Sequence, residues 1–420
     1  MSKIKYLLPI IASLTISSCT TYFGLIKLNN PKKEFNLEHI NQSDIYIKSV
    51  RDFALDYYML GGSVFSPLSI ATCYSMLYDG ALENSKKELE DMLHYDSSFD
   101  YLNEIKTMLL NNAINNKETK TILDINQSMW VQDEFKDHFS KDYANLMQDY
   151  YFAEAFGGDL ESDQMHQALA DYLNKKTNNF LNVKKEAFEK YGPVLWLTNT
   201  IYLKTKWMRE FEEDKNTIGQ FTNLDKSTKT ITYMNRTTDT YYNYLIGEKC
   251  MISLLYLNDG ITLTILLPDA DSDYEQVLTN KENINKLLCF ADYSSKEYLK
   301  ANIQFQIPQM KVQQDYDLTK VLKELGVKDI FDPDKADLRG LIDKDNPYRN
   351  DLYVTQSRHE AGLELTNGGL EAAAYTVINV GPKSAAPIDD FVSFIVDHPF
   401  AYVVSNSDGL PLFMGRVNKL

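Results

Sequence analysis

The stretch VLWLTNTIYLKTKW (194–207) constrains the fold more than any other part of this chain. Successive side chains of a strand point to opposite faces, yet here apolar residues occupy both. Such a strand belongs in the middle of a sheet that is covered on either side. INQSMWVQ (125–132) is a second strand, and from Phe221 onward strands dominate: TKTITYM, MISLLYL, ITLTILLP and IQFQIPQMKV. The earlier half of the chain has a helical period instead. Residues 37–60 carry apolar side chains at helical spacing until Gly61-Gly62 interrupts them. VFS (64–66) is strand-like, and Pro67 suits the first turn of a helix. Ile70, Cys73, Met76 and Leu77 form its buried stripe, Gly80 stops it, and Asn84 offers a cap for the next helix. Segments near 101–116, 134–152 and 163–182 are helical too, and Asp317 to Leu325 is one short helix closed by Gly326. Helices early and strands late predict an α+β domain with large, mostly antiparallel sheets.

The chain has 420 residues, 44% of them hydrophobic, enough for a sizeable core. No Pro/Gly/Ser linker, internal repeat or low-complexity block interrupts it after residue 40, which predicts one large domain over 37–420. Its 59 acidic against 43 basic residues give a net charge of −16, the opposite of a nucleic-acid footprint. Ahead of the domain, MSKIKYLLPIIASLTISSC has two lysines and an apolar run too short to span a bilayer. It ends in Ile16-Ser17-Ser18-Cys19, an aliphatic residue, two small ones and a cysteine. This resembles a bacterial lipoprotein signal: residues 1–18 removed, Cys19 lipidated, and 19–36 a tether to the cell envelope. An ordinary secretory signal is the alternative.

Cys73, Cys250 and Cys289 sit in apolar company, make no CxxC pair and have no metal spacing, so buried thiols are expected. No nucleophile elbow, P-loop, GxGxxG or HExxH occurs. DADSDY (269–274) starts like a calcium loop but lacks the glycine and the final glutamate, and His359 and His398 stand apart. Nothing here builds a catalytic centre, a metal site or a cofactor site.

Several segments together resemble the serpins, the serine protease inhibitor superfamily. These are FSPLSIATCYSMLYDGA (65–81), LTNTIYLKTKW (197–207), ITLTILLP (261–268), YDLTKVLKELGVKDIFDPDKADLRGL (316–341), EAAAYT (371–376), and DHPFAYVV with LFMGRV near the end. They occur in family order and cover nearly all of 37–420. The resemblance implies three β-sheets, about nine helices, and an exposed reactive loop at about 367–391. It also implies a conformational trap: a protease attacks the loop, and the cut loop enters the largest sheet as a new strand before the acyl-enzyme hydrolyses.

The residues of that loop meet the demand such an insertion makes. One parity must be tolerated inside a sheet. Leu370, Ala372, Ala374, Thr376, Ile378 and Val380 carry no charge, while Glu371, Ala373, Tyr375, Val377 and Asn379 take the other face. Gly368 and Gly369 loosen the hinge, alanines come first, and β-branched residues follow where strand preference holds the insert. A permanently paired strand or a β-arm is the plainer reading of the same stretch.

By the family's spacing the scissile residue lies sixteen positions after Asn367, which makes the bond Lys383–Ser384. Lysine there implies trypsin-like serine proteases as targets, with cysteine proteases as a second class. Val380 and Tyr375 are open alternatives, because the stretch from Ser384 to Phe394 is longer than in many members. Ser66, Ser69, Asn199 and His359 match the family's buried polar shutter, and Trp207 the tryptophan where insertion begins. Two positions depart: the usual hinge acid is Asn367, and the usual Thr or Ser before the glutamate is Leu370. The expectation is a monomeric, envelope-anchored inhibitor without metal or cofactor. The rivals are a non-inhibitory serpin serving as a binding or structural module, and a hydrolase that none of the motifs supports.

Overall fold

The computed structural model describes residues 21–420 except 23–24, 34–38, 62–63, 97, 99, 189–191, 193, 291–297 and 371–390. The large sheet contains six strands that matter for function. They are β1 (Thr121–Gln132), β2 (Glu154–Gly158), β3 (Leu195–Lys206), β4 (Met310–Asp317), β5 (Arg358–Thr366) and β6 (Gly369–Leu370). Their spatial order is β2-β1-β3-β6-β5-β4, antiparallel throughout except for β1 with β2. β3 is central, as its two apolar faces demand.

The second sheet is built from the late strands, running from Phe391–Ile395 through Leu299–Pro308 to Thr228–Leu245, and then on to Cys250–Tyr256, Thr262–Pro268, Phe400–Ser405 and Pro411–Val417. The 18-residue strand Thr228–Leu245 pairs with Leu299–Pro308 along residues 233–242 and with Cys250–Tyr256 along 242–245. Two of the three expected sheets are thereby fused into one ladder through a single long strand. Nine α-helices occur among the described residues, as the family pattern implied.

Local signals explain where several helices sit. Helix Pro67–Gly80 starts with proline in its first turn and with Ser66 Oγ accepting from the Ser69 amide. Helix Leu318–Glu324 is capped by Asp317 and ends before Gly326, whose φ of +99° suits glycine. Asn84 is a correction. Helix Glu83–Met92 begins two residues earlier than an Asn84 cap would set it, with a Leu82 cap position that has no side-chain bond, and Asn84 lies inside it. Part of the expected tether is ordered, because Leu25–Lys27 pairs antiparallel with β2 at the edge of the large sheet. Cys73, Cys250 and Cys289 form no disulfide. Only Cys250 is fully buried, Cys73 and Cys289 being half-buried, which corrects the expectation of three buried thiols. Loss of solvation pushes the Cys73 and Cys250 thiols up to about 12. Among the described residues no group of carboxylates, histidines or cysteines could hold a metal, and no helix is long and apolar enough to cross a membrane.

Candidate functional site

β3 and β5 are the halves of a sheet with a slot between them. Among the described residues only the two of β6 bridge them, Gly369 opposite Lys206 and Thr366, Leu370 opposite Thr205 and Leu365. Below that point no strand joins β3 to β5 among the described residues. Backbone groups that point into the gap from either side therefore have no ladder partner among the described residues, an arrangement a sheet interior does not ordinarily tolerate. A cavity of about 460 Å³ opens beneath the lower part of the slot, lined by Cys73, Leu169, Leu173, Trp196, Asn199 and His359 among others. A smaller one of about 50 Å³ continues it upward beneath Leu203, Leu363 and Leu370.

The upper end of the slot is where the hinge enters. Leu370 is 3% exposed and is paired with Leu365 and Thr205. Gly369 has φ +141°, and a Cβ there would lie 2.3 Å from the Thr205 carbonyl oxygen. Only glycine lets the chain turn into the sheet at this point. Trp207 is buried and donates its indole N–H to the Thr366 carbonyl at 2.8 Å, fixing the last turn before the hinge.

Asn367, where an acid was usual, sits in a clasp of neutral groups. Its side-chain amide donates to the Phe211 carbonyl at 3.1 Å and to Asn216 at 2.9 Å. Its oxygen accepts from Asn216 at 3.0 Å and from Gln309. With amides as partners a carboxylate has no cation to face, and an asparagine fits. The Leu370 departure is equally explained, since leucine fills a buried site that also receives Leu365.

The polar cluster is only partly assembled. The Ser66 backbone N–H donates to His359 Nε2 at 3.1 Å, and Ser66 Oγ accepts from the Ser69 N–H at 3.1 Å. Burial holds the His359 imidazole down at about 4, so it is the neutral acceptor this bond requires. Asn199 lines the same small cavity as Ser66, Ser69 and His359, but neither atom of its side-chain amide has a hydrogen-bond partner. The physical reason is the slot itself, which separates β3, carrying Asn199, from β5, carrying His359. Thr200 Oγ1, Asn126 Nδ2 and Gln127 Nε2, on β3 and its neighbour β1, are likewise without partners. Of these residues, Asn199 and Thr200 are on the strand that borders the slot, and a buried polar group without a partner there is a cost that calls for an explanation.

The other expected functional residues, namely Glu371, Ala372, Ala373, Ala374, Tyr375, Thr376, Lys383, Ser384 and Cys19, lie outside the described residues, as does Val380. Both ring nitrogens of His398 are engaged, by Asp397 and by the Pro268 carbonyl at 2.7 Å each, which removes it as a general base. The slot and its orphaned amides could not be found from sequence, because they arise from two strands failing to meet.

A family model described as serpin (serine protease inhibitor) matches residues 52–420. The chain belongs to the serpin family. Among curated serpins it is 29% identical to human neuroserpin over 373 residues, spanning 84% of this chain and 85% of that one. It is also 29% identical to the leukocyte elastase inhibitor of Equus caballus, spanning 84% and 92%. The native-state crystal structure of the thermophilic serpin tengpin superposes with a TM-score of 0.74 over 92% of this chain and 97% of its own, at 21% identity. That last likeness speaks for the fold. The serpin fold thus accounts for the slot as the boundary between the halves of its largest sheet.

Proposed function

We propose that this serpin inhibits trypsin-like serine proteases as a suicide substrate, with cysteine proteases as a second class of target, and that Cys19 anchors it by lipid to a bacterial cell envelope. The protease serine attacks the Lys383 carbonyl, and the amine of Ser384 departs. Lys383 is then held as an ester on the enzyme. The freed end of the loop, still attached at Gly369, zips into the slot and carries the acylated protease with it.

The observation that carries this reading is the register already begun at β6. Leu370 faces Leu365 on one side and Thr205 on the other. Continued antiparallel in steps of two, Ala372 meets Leu363 and Leu203, Ala374 meets Ala361 and Ile201, and Thr376 meets His359 and Asn199. The small residues come first, directly after the two-residue bridge of β6. The hydroxyl arrives beside the amide that has no partner. Insertion thereby supplies ladder partners for two strand edges and a hydrogen bond for Asn199, each worth about 1 kcal/mol net. Ordering the loop costs about 1–2 kcal/mol per residue, so relief of the strained open sheet must provide the rest, as loop insertion in serpins is understood to do.

The test is incubation with trypsin. The expected result is an SDS-stable complex with the chain cut after Lys383, and mass spectrometry of the mature amino terminus at a lipid-modified Cys19. Nicking with full recovery of trypsin activity refutes trapping. A cut after Val380 moves the bond without touching the mechanism, whereas a cut after Tyr375 leaves Thr376 on the departing side and refutes its bond to Asn199.

A further inference from the structure

The helix Asp163–Lys176 lies over the slot, and the segment ahead of the domain is wired to its carboxyl-terminal end. The helix rests on a small apolar cluster of its own, including Trp130, Phe156, Leu169 and Tyr172, separate from the main core. Leu169 and Leu173 roof the large cavity. A strand entering the slot must pass beneath this helix, and an element seated on its own small cluster is a unit that can lift without unfolding the rest.

Residues 25–33 are well placed to oppose such lifting. Leu25–Lys27 adds to the edge of β2, and the Leu28 N–H continues the ladder to the Ala155 carbonyl at 2.8 Å. Asn29 brackets the same edge, donating to the Ala153 carbonyl at 2.9 Å and accepting from the Ala155 N–H at 2.8 Å. Lys27 Nζ then reaches Glu154 Oε1 at 2.7 Å, while Glu154 Oε2 takes Lys176 Nζ at 2.9 Å and the Tyr172 hydroxyl at 2.8 Å. Lys176 and Tyr172 belong to the helix. Burial disfavours the Glu154 carboxylate, yet the bonds from Lys27, Lys176 and Tyr172 outweigh it and hold the group at about 2. Farther along, Lys33 Nζ donates to the Ile125 carbonyl of β1 at 3.2 Å, and Lys176 donates to Asn126 on the same strand at 3.0 Å. The segment, β1, β2 and the helix end thus share one polar knot.

We propose that residues 25–33 form a strap that pins the helix Asp163–Lys176 over the slot through Lys27, Glu154 and Lys176, and so sets how fast the loop inserts. The gating half of this statement rests on the inhibitory reading above, and the pinning half does not. The strap also covers the free edge of β2, which is otherwise open to pairing with another chain.

The test uses the full chain carrying Lys27→Met with Asn29→Ala, alongside Lys27→Arg, which keeps the ion pair. Amide hydrogen exchange over residues 163–176 is read in the uncleaved protein. The rate of spontaneous conversion to a heat-resistant, loop-inserted form is read on warming. Loss of the ion pair and the bracketing bonds should raise exchange about ten-fold and speed conversion by a similar factor, with Lys27→Arg close to the parent. Unchanged exchange in the double variant overturns the strap. Faster exchange with an unchanged conversion rate overturns gating and leaves loop insertion standing. If the parent chain never converts and forms no complex with trypsin, the inhibitory reading is what has failed, and exchange alone decides the pinning.

Discussion

Replacing Ala372 by arginine puts the insertion geometry under direct stress. Continued from Leu370, the register sets residue 372 between Leu363 and Leu203, which are 2% and 5% exposed. The described neighbours on that face, Leu203, Ile201, Leu363 and Ala361, carry no carboxylate, so the guanidinium would enter the sheet unpaired. The effective penalty for burying an unpaired ion is several kcal/mol, and about 3 kcal/mol is a low figure. Each 1.36 kcal/mol is ten-fold in rate, so insertion should slow by roughly a hundred-fold. Deacylation is untouched and overtakes it. The measurement is the amount of serpin needed to silence a fixed amount of trypsin, with SDS gels separating trapped complex from nicked chain. The variant should be cut at Lys383 as readily as the parent, yet yield almost entirely nicked chain. The companion Glu371→Arg lies on the other parity, opposite Glu364 and Lys204, and should inhibit nearly as the parent does. A parent-like stoichiometry for Ala372→Arg would falsify the register, and equal losses in both variants would show that charge anywhere in the hinge is what matters.

Thr376→Val should leave the uncut protein unchanged and lower the stability of the cleaved, inserted form by about 1–3 kcal/mol, because Asn199 then stays unsatisfied in both states; denaturant melts of cut and uncut protein decide it. His359 gives a pH signature. Its folded value is depressed to about 4 from 6.5, so the unfolded chain takes up a proton first as pH falls. Stability from this group is complete above about pH 6.5 and is lost progressively down to about pH 4, at most about 3 kcal/mol. His359→Gln should flatten that part of the stability–pH curve, and an identical slope in parent and variant would remove the buried neutral imidazole from the account.

How much of this was legible beforehand follows from the range of the signals. β3 was legible because apolar residues on both faces leave a strand nowhere but the middle of a sheet. Pro67 and Gly326 marked a helix start and a helix end where the structure has them. β2 was missed: EAFGG is five residues with two glycines, and its place is set by parallel pairing with β1 rather than by its own pattern. The helices Tyr274–Leu278 and Lys281–Leu288 were missed for the same shortness. LIK within the expected tether is three residues whose pairing depends on an edge more than a hundred positions away. In the site, Ser66, Ser69 and His359 came together because a helix cap and one strand place them. Asn199 lines the same cavity but bonds to none of them, because its lack of a partner is a property of the gap and belongs to no single segment.

The neutral clasp around Asn367 has a consequence for where such a trigger can operate. A hinge held by opposite charges loosens as dissolved salt screens them, and loosens again when acid discharges the carboxylate. Amide-to-amide bonds answer to neither. A molecule that meets fluids of varying brine and acidity would keep the same threshold at this latch throughout.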